Sequence, residues 1–139
     1  MTLTPSALAL LGLCAWPLLL VIVMGNYRAF YVFTGKIAVN GFAADGSNSP
    51  GAFGKRLVRA HANCYENLPM LGGVLLYAIV AEQTAMTDPL AYALLAARVV
   101  QSVIHMLSTS PLAVWVRFIA YVAQVGICLY WIGLLSGLL

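Results

Sequence analysis

Long apolar runs dominate the chain, and short segments rich in polar residues, glycine or proline separate them. Each run has at least the roughly 17 to 25 residues that an α-helix needs to cross a hydrocarbon core about 30 Å thick. Transmembrane β-strands need only about 9 to 11 residues, so the length of the runs favours helices. The pattern predicts four helices, with approximate bounds 5–33, 56–81, 89–107 and 111–139.

The composition indicates that these helices lie in a membrane. Hydrophobic residues make up 63% of the 139 positions, and charged residues make up only 8%. A soluble domain carries about 25% charged residues because its surface faces water. The sequence therefore predicts an all-α integral membrane four-helix bundle that occupies residues 1–139 as a single domain.

The distribution of charge predicts how the bundle is oriented. Glu82 and Asp88 lie in the connection between the second and third helices. Five of the seven Lys and Arg residues lie just before, within or just after the connection between the first and second helices: Arg28, Lys36, Lys55, Arg56 and Arg59. Cytoplasmic loops are enriched in lysine and arginine, so we expect this connection in the cytoplasm and both termini on the opposite side.

Polar residues recur at helical spacing on three of the four predicted helices, so that each helix carries one polar stripe. The stripes are Arg59, Asn63 and Glu66; Arg98, Gln101 and His105; and Arg117, Tyr121 and Gln124. A charged side chain at the centre of a bilayer costs at least about 2.5 kcal/mol, so these positions require a reason. In the predicted orientation all three stripes lie in the cytoplasmic half, which predicts a polar pocket open to the cytoplasm.

The charges of the stripe residues indicate which class of ligand this pocket would bind. Three arginines face a single carboxylate, and the planar guanidinium group suits carboxylates. A peptide-like molecule with two carboxylates and one amine would match. The alternative is structural, namely that Arg98 and Glu66 form an intramembrane ion pair that locks the bundle.

Histidine and cysteine give weaker signals. His61 and His105 are interpreted as hydrogen-bonded or pocket residues, with axial ligation of a haem as a further alternative. Cys14, Cys64 and Cys128 lack metal-ligand spacing and are interpreted as small apolar packing residues. We expect no metal site.

The segment RAHANCYENLP, from Arg59 to Pro69, resembles the signature of the membrane-associated proteins in eicosanoid and glutathione metabolism, the MAPEG family. Further positions in the second half of the chain resemble that family's pattern: Arg98, His105, Pro111, Arg117 and Tyr121. The chain departs from well-studied eukaryotic members at Ala62, where those members have a basic residue. The resemblance is therefore to a bacterial-type member.

The resemblance implies a homotrimer in a bacterial inner membrane. It also implies that glutathione binds between neighbouring subunits, where Arg117 stabilises the thiolate. The expected glutathione contacts are Arg59, His61, Asn63, Glu66, Arg98, Gln101, His105 and Tyr121. Neither Arg28 nor Lys36 aligns clearly with the basic residue that the family's first helix contributes.

Two functions are compatible with this resemblance. In the first, glutathione is the co-substrate of a transferase or peroxidase that acts on hydrophobic electrophiles or peroxides arriving from the membrane lipid. In the second, the chain forms a trimeric membrane scaffold or binding protein that has kept the fold without turnover. Nucleic acid is not expected as a partner of either.

Overall fold

The computed structural model describes residues 3–43 and 45–139, which form four α-helices and no β-strand. In chain order these are α1 (Pro5–Phe33), α2 (Gly51–Val80), α3 (Thr84–Leu107) and α4 (Pro111–Leu135). α1, α2 and α3 pack against one another, whereas α4 packs mainly on α3 and less on α2. The predicted all-α four-helix bundle is confirmed.

Three helices, α1, α3 and α4, are long and apolar enough to cross a membrane by length and composition. α2 is the longest helix, with 30 residues, and it lies alongside α1 and α3. Its hydropathy is lower because its first half carries the polar stripe that begins at Arg59. The polar stripe therefore belongs to a helix of transmembrane length.

The bounds of three helices differ from the sequence-based ones. α2 begins at Gly51 and ends at Val80, not at 56 and 81. α3 begins at Thr84, so Pro89 lies in its second turn and not at its first position, where proline is commonest. α4 ends at Leu135 and not at 139 because Gly137 has a φ of 74°, a left-handed conformation that terminates helices.

The core consists of two groups of buried apolar side chains. The larger group joins all four helices, through residues such as Leu13, Leu75, Leu94 and Trp131. Cys128 belongs to the larger group and Cys64 to the smaller one, consistent with their interpretation as packing residues. Cys14 is exposed on the outside of the bundle, so for this cysteine the interpretation was wrong.

The end of the bundle that bears the α1–α2 connection, residues 34–50, is called the loop end below. Tyr27 donates its hydroxyl to the carbonyl of Pro50 at 2.9 Å, which holds this connection on α1. Arg56 donates from Nε to the carbonyl of Met106 at 2.7 Å, which ties the start of α2 to the end of α3. These bonds fix the loop ends of α1, α2 and α3 relative to one another.

At the other end of the bundle, Asp88 on α3 binds the N-terminus of α1. Its Oδ1 accepts hydrogen bonds from the backbone N–H and the hydroxyl of Ser6, at 2.9 and 2.6 Å. The first N–H groups of a helix have no carbonyl partner within it, and the helix dipole favours a negative charge there. Asp88 therefore acts as a cap supplied by a neighbouring helix.

We expect Asp88→Ala to lower the free energy of unfolding by about 1 to 2 kcal/mol, because the N-terminus of α1 loses its acceptor. The measurement is thermal unfolding of the purified protein in detergent micelles. Glu82→Gln is the matched control, since Glu82 is an exposed carboxylate in the α2–α3 connection. Equal unfolding temperatures for the two variants would contradict the capping role of Asp88.

Candidate functional site

A cavity of about 270 Å³ opens between α2, α3 and α4, in the half of the bundle nearer the loop end. Its wall brings together five of the nine predicted site residues, one or more from each of the three polar stripes. The lining residues are Asn63, Gln101, His105, Val114, Arg117, Phe118 and Tyr121. This polar cavity is the candidate functional site.

Arg98 lies behind the wall of the polar cavity and does not line it. The side chain is only 2% exposed, and its Nη1 donates a hydrogen bond to Oδ1 of Asn63 at 2.8 Å. Its Nε and Nη2 atoms are buried without a hydrogen-bond partner. The alternative of an ion pair with Glu66 is not realised, since the Glu66 side chain is exposed on the outside of α2. Arg98 therefore reaches the cavity only through Asn63.

Gln124 occupies a comparable place behind Gln101. It is fully buried on α4, and its Nε2 donates to Oε1 of Gln101 at 2.9 Å and to the carbonyl of Ala120 at 2.8 Å. The sequence placed Gln124 on the same stripe as Arg117, but it was not among the predicted site residues. Its position seven residues after Arg117, on the same face of α4, could have placed it among the predicted site residues.

The polar cavity is a positively charged environment. Arg117 lies in its wall, and the charges of Arg117 and Arg59 both act on the ring of His105. Among the residues that line the cavity none is Asp or Glu. The cavity therefore favours an anionic group.

Besides Arg98 and Glu66, two further predicted site residues, Arg59 and His61, lie outside the polar cavity. Arg59 lines a separate cleft of about 220 Å³ together with Asp45 and Lys55. His61 is two residues from Asn63 and so lies on a different face of α2, with its ring 5.4 Å from that of Tyr65. The cavity contains His105 but not His61, so it does not join the two histidines of the haem alternative.

An apolar groove of about 370 Å³ runs between α2 and α4, further from the loop end than the polar cavity. Met70, Val125 and Leu129 are among its lining residues, and Tyr121 lies in the wall of both the groove and the cavity. An apolar molecule in this groove would therefore meet the polar cavity at Tyr121.

The helical bundle, its membrane-compatible helices and its basic cavity define a multi-pass membrane protein with a candidate polar site near one end. The family model described as MAPEG family matches residues 6–137. The chain belongs to the MAPEG family, and the predicted family is confirmed. No curated protein and no solved structure matches it significantly.

We expect Asn63→Leu to lower the free energy of unfolding by about 2 to 3 kcal/mol, because the buried guanidinium of Arg98 loses its acceptor. Adding Arg98→Met should recover most of the lost free energy of unfolding, since both partners are then apolar. Thermal unfolding in detergent micelles checks both expectations. A double variant that is as unstable as the sum of the two single variants would show that the bond between Arg98 and Asn63 has no such role.

Proposed function

We propose that the protein is a glutathione-dependent membrane transferase or peroxidase that acts on hydrophobic electrophiles or peroxides. The observation that carries the proposal is the polar cavity, whose wall contains Arg117 and the amides of Asn63 and Gln101 and contains no carboxylate. Glutathione is an anion with two carboxylates, and it fits a basic site of this kind. Membership of the MAPEG family supports a role in glutathione or eicosanoid metabolism in general terms.

The proposed role of Arg117 is to stabilise the glutathione thiolate. A free thiol titrates near pH 8.5 and reacts as the thiolate, so a site that binds the thiolate preferentially raises its population at neutral pH. Lowering the pKa of the thiol by two units requires about 2.7 kcal/mol of preferential stabilisation. A hydrogen bond from a guanidinium group in a partly dry cavity supplies a large share of that energy.

The thiolate then reacts with the second substrate. With an aryl halide, sulfur forms a bond to carbon and halide leaves with the bonding electron pair. With a hydroperoxide, sulfur attacks the terminal oxygen and forms an S–O bond, the O–O bond breaks, and the alkoxide leaves as an alcohol after protonation, so that the glutathione sulfur becomes a sulfenic acid. A second glutathione then reduces the sulfenic acid to give glutathione disulfide and water. We place the apolar part of the second substrate in the apolar groove, where Tyr121 separates it from the polar cavity.

The proposal includes a homotrimer, and the position of Glu66 supports it. This carboxylate lies near the middle of α2 and is exposed on the surface of the single chain. Exposure to lipid at that depth costs at least about 2.5 kcal/mol, and a neighbouring copy would remove the cost. Arg59, His61 and Glu66, which lie outside the cavity of their own chain, would then contact glutathione from across the interface.

The proposed location is a bacterial inner membrane, with the loop end in the cytoplasm. Most of the basic residues lie near that end, and the positive-inside rule favours it as the cytoplasmic side. Glutathione in the cytoplasm would then reach the polar cavity directly, and a hydrophobic substrate would enter from the lipid.

We expect Arg117→Ala to lower the rate of conjugation of glutathione to a generic aryl halide by at least about tenfold at neutral pH, equivalent to about 1.4 kcal/mol of thiolate stabilisation. The thiolate absorbance near 240 nm that glutathione gives with the unmodified protein should disappear. Lys55→Ala is the matched control, because it removes one positive charge from the loop end outside the polar cavity.

Two outcomes would contradict this proposal in different ways. A rate in Arg117→Ala equal to that of the unmodified protein would exclude the thiolate role of Arg117. Absence of both glutathione binding and activity in the unmodified protein would favour the non-catalytic scaffold.

A second prediction concerns the interface between copies. If a site contains Arg117 from one copy and His61 from another, oligomers that mix Arg117→Ala and His61→Ala chains contain some intact sites. We therefore expect co-expressed, co-purified mixtures to bind more glutathione than either variant alone. Binding that equals the average of the two variants would argue that each site belongs to one chain.

A further inference from the structure

The wall of the polar cavity contains two side-chain amides whose orientation is decided by residues behind it. An amide can present either its oxygen or its nitrogen to a ligand, and the two choices select opposite ligand chemistry. In Asn63 and Gln101 the choice follows from the nature of their buried partners, independently of how the amide atoms are assigned.

For Asn63 the deciding partner is Arg98. A guanidinium group has only donors, so the atom of Asn63 that it contacts at 2.8 Å must be the carbonyl oxygen. The nitrogen Nδ2 of Asn63 then lies on the other side of the amide. It has no hydrogen-bond partner among the described residues and is not among the buried unpartnered atoms, so it is accessible as a donor in the cavity wall.

For Gln101 the orientation of the amide is set by its hydrogen bond with Gln124. The backbone carbonyl of Ala120 only accepts, so the atom of Gln124 that contacts it must be the nitrogen Nε2. The same Nε2 atom contacts Gln101 at 2.9 Å, so the contacted atom of Gln101 must be its oxygen. The nitrogen of Gln101 is left without a partner among the described residues, and it too is accessible from the cavity.

We propose that Arg98 and Gln124 are positioning residues that fix the amides of Asn63 and Gln101 with their N–H groups toward the polar cavity. Together with the guanidinium of Arg117, these amides form a wall of hydrogen-bond donors. The ligand group that faces this donor wall carries acceptors, namely carboxylate or carbonyl oxygens. The inference rests on the proposed function only in naming glutathione as the source of those oxygens.

The first test reverses one donor while keeping its buried bond. In Asn63→Asp, a carboxylate oxygen still accepts from Arg98, and the guanidinium keeps that carboxylate ionised, so the fold is retained. The other oxygen now faces the cavity as an acceptor. We expect the dissociation constant of glutathione to rise by at least about tenfold, with an unfolding temperature no lower than that of the unmodified protein. Unchanged binding would overturn the donor wall.

The second test separates positioning by Gln124 from a general structural role. Gln124→Met keeps the size of the side chain and removes the donor to Gln101. We expect the dissociation constant of glutathione to rise by about three- to tenfold. In a Gln101→Met background the same change should have no further effect on binding, because Gln124 acts through Gln101. Fully additive losses would overturn the positioning role.

Ligand selectivity provides a readout that a loss of stability alone does not change. An analogue of glutathione with both carboxylates replaced by aminomethyl groups, which are protonated and carry only donors, places donors against the donor wall. We expect the unmodified protein to prefer glutathione over this analogue, and we expect Asn63→Asp to reduce that preference. The same preference in both proteins would contradict the inference.

A final experiment distinguishes failure of this inference from failure of the proposed function. If the unmodified protein does not bind glutathione, the proposed function fails, and the donor wall is tested with glutarate and 1,5-diaminopentane as probes. A rise in unfolding temperature with glutarate that is absent in Asn63→Asp would support the donor wall by itself. No effect of glutarate, or an equal effect of both probes, would overturn it.

Discussion

The guanidinium of Arg98, enclosed in a hydrocarbon-embedded bundle, is the group on which the arrangement of the site depends. A buried charge is tolerated only where other polar groups compensate it, and in the described residues Asn63 provides the one hydrogen bond that Arg98 donates. This bond ties α2 to α3 at the depth of the polar cavity. The hydrogen bond between Gln124 and Gln101 ties α3 to α4 in the same region. Polar contacts between helices thus hold the cavity open where apolar packing would close it.

These contacts also explain the division between a polar and an apolar region on the same side of the bundle. α4 packs mainly on α3 and only lightly on α2, so a gap remains between α2 and α4. Residues of the polar stripes line the part of the gap nearer the loop end, and apolar side chains line the rest. Tyr121 lies at the boundary, since it contributes to both walls. The proposed reaction of a polar thiol with an apolar substrate requires such a boundary.

The spacing of polar residues predicted much of the candidate site because a helix places residues three, four and seven apart on one face. Asn63, Gln101, His105, Arg117 and Tyr121 meet in the cavity for this reason. His61 does not, because it lies on another face of α2. Arg98 has the right spacing, yet it lies behind Asn63 and not in the wall. Spacing selects the face of a helix, but it does not select which residue on that face reaches the open space.

By itself, the sequence determined the membrane bundle, the family and the three polar stripes, because apolar length and helical spacing are local properties of the chain. It did not determine the bounds of α2, α3 and α4: α2 begins directly after Pro50, α3 begins five residues before Pro89, and Gly137 ends α4 through its conformation in the folded chain. Only the tertiary structure decided which way the amides of Asn63 and Gln101 point. That choice depends on the donors of Arg98 and Gln124, which reach these amides only once the helices have packed.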